Sequence, residues 1–165
     1  MKKLLIALIF ISGLLFSQQV TLYISGQTID EVNGGTLDIY MVNTEPVYGF
    51  QFNMDDSGLL GDTDGINYGT AFGGSAEDAL FYVSSNSDGL LLGFSMISSS
   101  IPAGEGILTT IQWNGDTFDV YGPITLQITN IAGWDGSPLT YGVGSPLMIG
   151  NIVYGCTDSV ACNYY

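Results

Sequence analysis

The chain has 165 residues, a formal net charge of −14 and only two basic side chains, Lys2 and Lys3, with no histidine. Beyond these two N-terminal lysines it offers no imidazole, amine or guanidinium, which excludes His-activated nucleophiles, Schiff-base chemistry and phosphate clamps. Its 16 carboxylates should repel polyanions, so nucleic acid and anionic membranes are poor partners. Cations are the natural counterparts of such a chain.

Residues 1–19 predict a secretory signal peptide. Lys2 and Lys3 precede an apolar run from Leu4 to Phe16, and the small residue Ser17 follows, in the order of the charged, apolar and cleavage regions. The run is shorter than the roughly 20 residues that span a bilayer, and no second long run follows. We therefore expect a secreted or cell-surface protein without membrane insertion. Removal of both lysines would take the formal charge from −14 to −16.

After residue 20, apolar and polar residues alternate in short runs separated by Gly, Asn, Asp, Ser and Pro, which predicts β-strands. In chain order, strands are expected over 20–25, 36–42, 47–54, near 59–60, and over 80–85, 89–96, 106–114, 124–128 and 147–153. One helical turn is expected over 75–80, with Ser75 as its N-cap. About nine strands and so little helix predict an all-β fold with two packed sheets, a β-sandwich.

The alternation also predicts which face of each strand is buried, because successive side chains point to opposite sides of a sheet. The residues assigned to the core are Leu37, Ile39, Met41, Phe50, Phe52, Met54, Phe81, Val83, Leu90, Leu92, Phe94, Ile107, Ile111, Trp113, Ile124, Leu126 and Ile128. The residues between them are then expected to face solvent.

Four segments in this order resemble a cohesin-like module, the jelly-roll β-sandwich of bacterial extracellular scaffolds. They are Gly35–Asn43, Pro46–Asp55, Gly89–Ser95 and Ile101–Leu108, and the resemblance covers about 20–151. It implies jelly-roll topology and a module that binds a dockerin-like protein in assembly or adhesion and catalyses nothing. The predicted organisation is a signal peptide at 1–19, the sandwich at 20–153 and a tail at 154–165.

The same resemblance places partner binding on one sheet face, formed by the strands over 47–54, 80–85, 89–96 and 106–114. The residues expected to face outward there are Gln51, Asn53, Tyr82, Leu91, Ser95, Thr110 and Gln112. Tyr82 and Leu91 would be the anchors of a flat protein-binding surface. An ordinary solvated sheet face is the alternative for each of these residues.

The tail, Tyr154–Tyr165, resembles the opening of a cysteine-bearing repeat, Gly-Cys-Thr-Asp-x-x-Ala-Cys-Asn-Tyr, of marine bacterial surface proteins. The repeat stops short, so we expect either a piece of a longer protein or a decayed terminus. Cys156 and Cys162 can form a disulfide after export, and closing so small a loop stabilises by about 2–3 kcal/mol at most. Two thiols without histidine make a poor zinc site.

The densest acidic stretch, over 55–67, predicts a calcium site, because carboxylate and amide oxygens in a Gly-rich loop are the ligands that calcium takes. The candidate ligands are Asp55, Asp56, Asp62, Asp64 and Asn67. The stretch resembles an EF-hand loop only in part, since it lacks the flanking helices and the final Glu. A solvated turn rich in Asp and Gly is the alternative.

Enzymatic activity would have to rest on carboxylates alone, as in a glycosidase. Glu105 and Asp135 each lie in a predicted turn and nothing in the sequence brings them together, so we expect no enzyme. The alternative to protein binding is a carbohydrate-binding module of an extracellular polysaccharide-degrading system. Trp134, in a predicted turn, is the candidate sugar-stacking ring, whereas Trp113 is expected in the core. An outward face rich in rings would favour sugar, and a flat patch with a central apolar anchor would favour protein.

Overall fold

The computed structural model of the chain describes residues 18–30, 34–59, 66–114 and 122–149. Ten strands lie in these ranges: β1 (Val20–Asp30), β2 (Gly34–Asn43), β3 (Gly49–Asp55), β4 (Asn67–Phe72), β5 (Phe81–Ser85), β6 (Leu90–Ser95), β7 (Gly104–Asn114), β8 (Gly122–Ala132), β9 (Tyr141–Val143) and β10 (Leu147–Ile149). A short helix, α1 (Gly74–Asp78), and a 3-10 turn, Trp134–Gly136, are added to them. The strand expected near 59–60 is wrong at Leu59, which is irregular, and residue 60 lies outside the described ranges.

The strands form two five-stranded sheets. The first sheet has the order β4-β7-β2-β1-β9, and the second has the order β10-β8-β3-β6-β5. Neighbouring strands are antiparallel except for β1 and β9, among the described residues. This arrangement confirms the predicted all-β sandwich. The strands β4 and β9 were not expected from the sequence.

The core lies between the two sheets. Its largest fully buried side chains are Trp113, Phe50, Phe52, Leu22, Leu37, Ile39, Met54, Leu91, Ile101, Leu108, Ile111 and Ile124. The ring of Phe50 packs at 5.8 Å from that of Phe52 and at 6.1 Å from that of Phe81, measured between centroids. The predicted inward residues of β2 and β3 are therefore confirmed, since strict alternation buries them all.

The orientation predicted for β6 is wrong. Leu90, Leu92 and Phe94 are exposed on the outer face, whereas Leu91 is fully buried. The pairing of β6 with β3 explains this result, because Gly93 lies opposite the inward-facing Phe50. A Cβ atom at Gly93 would lie only 2.1 Å from Cζ of Phe50. The bulky Phe50 ring therefore needs glycine on the inner face, which places the neighbours of Gly93 outside.

A bulge in β7 overturns the prediction that Ile107 is a core residue. Thr109 pairs with Ile39 and Ile107 with Tyr40, so Leu108 is an extra residue on β7. A bulge shifts the alternation of the strand from one face to the other. Leu108 and Thr109 are consequently both buried, while Ile107 is 40% exposed. The later residues Ile111 and Trp113 are buried as expected.

The predicted helical turn forms, but Ser75 does not cap it. The helix α1 begins at Gly74, its N-cap is Gly73, and no side-chain N-cap hydrogen bond is made. Instead, the carboxylate of Glu77 accepts a hydrogen bond from the Gly73 backbone N–H at 2.6 Å. Gly73 and Gly74 have φ of 69° and 71°, values that glycine adopts readily. No helix among the described residues has both the length and the apolar character needed to cross a membrane.

Candidate functional site

The outer face of the second sheet carries a row of exposed apolar side chains, Leu90, Leu92 and Phe94 of β6 and Tyr82 of β5. We call these four residues the apolar row. The rings of Tyr82 and Phe94 lie 5.7 Å apart between centroids, on paired positions of the two strands. Because β6 is the second strand from the edge, Leu90, Leu92 and Phe94 lie within the sheet face, and Tyr82 lies on the edge strand β5.

Polar side chains border the apolar row on both sides. On β3, Gln51 is paired with Leu92 and the half-buried Asn53 with Leu90. On β5, the exposed Ser84 is paired with Leu92. An apolar centre with amide and hydroxyl groups around it is the composition typical of a protein-binding patch.

The residues predicted to form one partner-binding face do not all lie together. Gln51, Asn53 and Tyr82 share the outer face of the second sheet. Thr110 and Gln112 belong to β7, which lies in the first sheet, so their assignment to this face is wrong. In place of β7, the strand next to β3 is β8, whose exposed Gln127 borders the same face.

Two further assignments are corrected by the orientation of β6. Leu91 is fully buried and cannot anchor a partner. Ser95 lies on the inner side of the strand, opposite Phe81. Its hydroxyl oxygen accepts hydrogen bonds from the backbone N–H groups of Ile97 and Ser99, at 3.2 and 3.0 Å. Ser95 therefore holds a turn in place and does not contribute to the outer face.

The apolar row continues into a shallow depression at the β5 edge, which the sequence did not reveal. Leu80, Met96 and Ile97 line it together with Glu77 and are strongly exposed. Leu80 and Ser98 both have positive φ, 58° and 59°. Such a backbone conformation is unfavourable for a bulky residue such as leucine and is often found where function requires it. The turns that carry these residues are linked by a hydrogen bond from the Ser99 hydroxyl to the Ala79 carbonyl.

The predicted calcium ligands are described only in part, because Asp62 and Asp64 lie outside the described residues. The Asp56 carboxylate accepts a hydrogen bond from the Ile66 backbone N–H at 3.0 Å, and Asn67 is exposed. No group of three or more His, Cys, Asp or Glu residues that could hold a metal ion is found in the described ranges. The calcium site stays a prediction.

Asp55 is held in its ionised form by local hydrogen bonds. The side-chain and backbone donors of Ser57 lower its carboxyl pKa most. Desolvation raises the pKa against them, and the Gln127 amide lowers it by a smaller amount. The Ser57 N–H lies 3.0 Å from Oδ1, and Gln127 Nε2 lies 2.5 Å from Oδ2. Because the pKa of Asp55 is lower in the folded state, these bonds stabilise the fold fully above the unfolded-state pKa of Asp55. This stabilisation is lost as the pH falls through the lower, folded-state pKa.

We expect the Ser57→Ala substitution to raise the pKa of Asp55 towards the ordinary value of an aspartate, because it removes the hydroxyl donor. The measurement is a ¹³C-detected NMR titration of the Asp55 carboxyl carbon in both proteins. Ser87→Ala, in the turn between β5 and β6, is the control and should leave the titration of Asp55 unchanged. An Asp55 pKa that is unaffected by Ser57→Ala would contradict this assignment.

Trp134 is exposed, as the sequence predicted, and lies in the 3-10 turn after β8 with 66% of its surface accessible. The rings of Trp134 and Tyr48 form an edge-to-face contact, with a centroid distance of 5.3 Å and an interplanar angle of 74°. Trp113 is buried, with 1% exposure. The predicted disulfide of Cys156 and Cys162 and most of the predicted signal peptide lie outside the described residues.

No family model matches the chain, and no curated protein matches it either. Its similarity to known proteins is found in solved structures. The seventh ScaB type I cohesin from Pseudobacteroides cellulosolvens aligns with a TM-score of 0.53 at 17% identity, covering 79% of this chain and 90% of that chain. The fold is cohesin-like. At this identity, the likeness establishes the architecture alone.

Two structures of complexes share the cohesin-like fold. The type I cohesin–dockerin complex from Clostridium thermocellum aligns with a TM-score of 0.50 at 10% identity, covering 78% of this chain and 90% of that chain. The third ScaB cohesin of R. flavefaciens, in complex with a group 1 dockerin, aligns with a TM-score of 0.51 at 14% identity, covering 82% of this chain and 98% of that chain. The cohesin-like β-sandwich expected from the sequence is thereby confirmed.

Proposed function

We propose that the outer face of the second sheet binds a dockerin-like protein, and that the chain is a non-enzymatic module for assembly or adhesion. The observation that carries this proposal is the apolar row on that face. On the solvated face of an antiparallel sheet, the outward-pointing residues of each strand are normally polar. Here the three outward positions of β6 instead carry large apolar side chains, Leu90, Leu92 and Phe94.

The surroundings of the apolar row fit a protein better than a sugar chain. Protein interfaces have an apolar centre, often with an aromatic anchor, and a polar rim. Leu92 is the centre, Tyr82 and Phe94 are the aromatic residues, and Gln51 and Asn53 are part of the rim. The Tyr82 and Phe94 rings are inclined by 59° to each other, so they do not form a flat stacking platform for a polysaccharide.

The fold gives independent but weaker support. Two of the similar solved structures are cohesins bound to dockerins. Because unrelated functions occur on one fold, this analogy alone does not assign a partner. The residues of the outer face therefore carry the assignment, and the fold supports it.

The charge of the chain indicates what the partner must contribute. Apart from Lys2 and Lys3 the sequence has no basic residue, so any ion pair across the interface needs a cation from the partner. Glu77, at the rim of the depression beside Leu80 and Met96, offers a carboxylate for such a pair. We therefore expect a partner with Lys or Arg around an apolar stripe, and an association rate that falls with salt.

The module would act outside the cell or on its surface. The charged, apolar and cleavage regions of residues 1–19 support export, and the cysteine-bearing tail is compatible with an oxidising compartment. Calcium bound by the acidic stretch over 55–67 would offset part of the negative charge.

The substitution Leu92→Asp tests the proposed face, because it places a charge at the centre of the apolar row. We expect dockerin binding to weaken at least about tenfold, as for a central interface residue. Ile107→Asp is the matched control, since Ile107 is also 40% exposed but lies on the first sheet. Binding of the full chain to a panel of purified dockerins by biolayer interferometry is the measurement. Equal losses in both variants, or none in Leu92→Asp, would contradict the proposal.

A further inference from the structure

A cavity of about 300 Å³ lies beside Trp134, where the loop after β2 meets the turn after β8. Its walls include Glu45, Pro46, Tyr48, Trp134, Ser137 and Leu139. The apolar row lies on the face of the second sheet and shares none of these residues. The cavity is therefore a separate candidate site, and its role does not depend on dockerin binding.

The two aromatic rings form a corner and do not form a platform. The rings of Tyr48 and Trp134 are inclined by 74° to each other, in an edge-to-face contact. A polysaccharide chain that stacks on protein rings needs flat surfaces that lie in one plane. A corner between two perpendicular rings is better suited to a compact, convex group.

The walls of the cavity are held rigidly. The Ser137 hydroxyl and backbone N–H both donate to the Trp134 carbonyl, at 2.7 and 3.1 Å. The Tyr48 N–H donates to the Ala132 carbonyl at 2.7 Å, and the Glu45 carbonyl accepts from the buried Asn43 amide at 2.8 Å. A site whose backbone is fixed in this way loses little conformational entropy when it binds a ligand.

The charge of the cavity is negative. Glu45, an exposed acidic residue, lines the cavity, and no basic side chain occurs in the sequence after Lys3. A strongly acidic protein raises the local concentration of cations, and nothing after Lys3 can compete for Glu45. A cation over the face of tryptophan is attracted by the ring quadrupole. The aromatic corner and the acidic residue Glu45 therefore both favour a positively charged ligand.

We propose that this cavity binds an organic cation, with the cationic group against the Trp134 face and paired with Glu45. The cation is either a small quaternary ammonium compound or the basic side chain of another protein. This assignment departs from the sugar-stacking role predicted for Trp134, because the ring that Trp134 contacts, Tyr48, is inclined by 74° to it and Glu45 also lines the cavity.

The test is an NMR titration of the full chain with choline, followed through the tryptophan indole N–H signals. The chain has two tryptophans, and the signal that disappears in Trp134→Leu belongs to Trp134. We expect choline to shift this signal saturably and to leave that of the buried Trp113 unchanged. The neutral analogue, in which a tert-butyl group replaces the trimethylammonium group, should bind more weakly by roughly 2- to 30-fold.

Glu45→Gln removes the charge but keeps the shape of the side chain, and it should also weaken choline binding severalfold. Asp88→Asn is the matched control, because it removes one charge from the turn between β5 and β6 and should leave the affinity nearly unchanged. Added salt should weaken choline binding to the unmodified chain more than to Glu45→Gln, since it screens the ion pair. Thermal unfolding of each variant checks that the fold is retained.

The same titration with the N-acetyl amides of lysine and arginine distinguishes the two sources of the cation. Tighter binding of choline would assign the cavity to a quaternary ammonium compound, and tighter binding of an amino acid amide would assign it to a basic side chain. Equal binding of choline and its neutral analogue would overturn the proposal, as would no binding of any cation. A Trp134 shift caused by cellohexaose or maltohexaose and not by choline would assign the cavity to sugar and overturn it as well.

Discussion

The Leu91→Ala substitution is expected to lower the free energy of unfolding by about 2–5 kcal/mol, the range for a buried leucine truncated to alanine. Leu91 is fully buried and pairs with Phe52 across β6 and β3. Its removal would leave a cavity between the sheets that rigid neighbouring strands cannot close. Urea denaturation of both proteins, at one fixed high salt concentration, measures the difference.

Leu92→Ala is the matched comparison, because Leu92 is the next residue of the same strand and has 40% of its surface exposed. We expect it to lower the free energy of unfolding by about 1 kcal/mol or less, since it leaves no cavity between the sheets and removes less buried apolar area than Leu91→Ala. The opposite order of effects would place Leu92 in the core, as simple alternation predicts, and would remove the apolar row from the outer face. The proposed partner-binding site would then be wrong together with the orientation of β6.

The sequence was sufficient to orient strands whose two faces differ in polarity. In β2, Leu37, Ile39 and Met41 alternate with polar or half-buried residues, and the structure buries the predicted face. In β6, three consecutive leucines precede Gly93, so either face could be buried. The deciding contact is between Gly93 and the Phe50 ring, which belongs to another strand. A pattern along one strand contains no information about such a contact.

The composition of the candidate face could not be predicted for a similar reason. Gln51, Asn53 and Tyr82 share a face, but Thr110 and Gln112 do not, because β7 pairs with β2 and β4 in the first sheet. Which strands become neighbours depends on long-range pairing and not on local propensity. The bulge at Leu108 is a further case, since an extra residue in one strand is visible only against its partner.

The cavity beside Trp134 could be predicted from the sequence only in part. The Gly-Trp-Asp-Gly sequence predicted a turn with an exposed ring, and the 3-10 turn at Trp134–Gly136 agrees with it. The other walls, Glu45 and Tyr48, come from a loop almost 90 positions earlier in the chain. Only the fold brings the carboxylate and the second ring to Trp134, and these two groups changed the expected ligand from a sugar to a cation.

Gly93→Ala is expected to destabilise the protein by about 1–3 kcal/mol, the usual cost of overpacking a core. The added Cβ would lie 2.1 Å from Cζ of Phe50, and the ring cannot move away because Phe52 and Phe81 pack against it. Gly106→Ala is the control, because a Cβ at Gly106 in β7 has no atom within 4 Å. Without a clash, alanine in a strand should be neutral or stabilising by about 0.5–1 kcal/mol.

A double-mutant cycle identifies Phe50 as the cause of the Gly93→Ala loss. In a Phe50→Leu background the smaller side chain leaves room for the new methyl group, so the cost of Gly93→Ala should fall well below its cost in the unmodified chain. Urea denaturation of the four proteins gives the coupling energy between the two positions. Strictly additive effects would mean that Gly93 does not face Phe50. In that case Leu92 and Phe94, the neighbours of Gly93, would not be held on the outer face by this contact, and the apolar row would lose its structural basis.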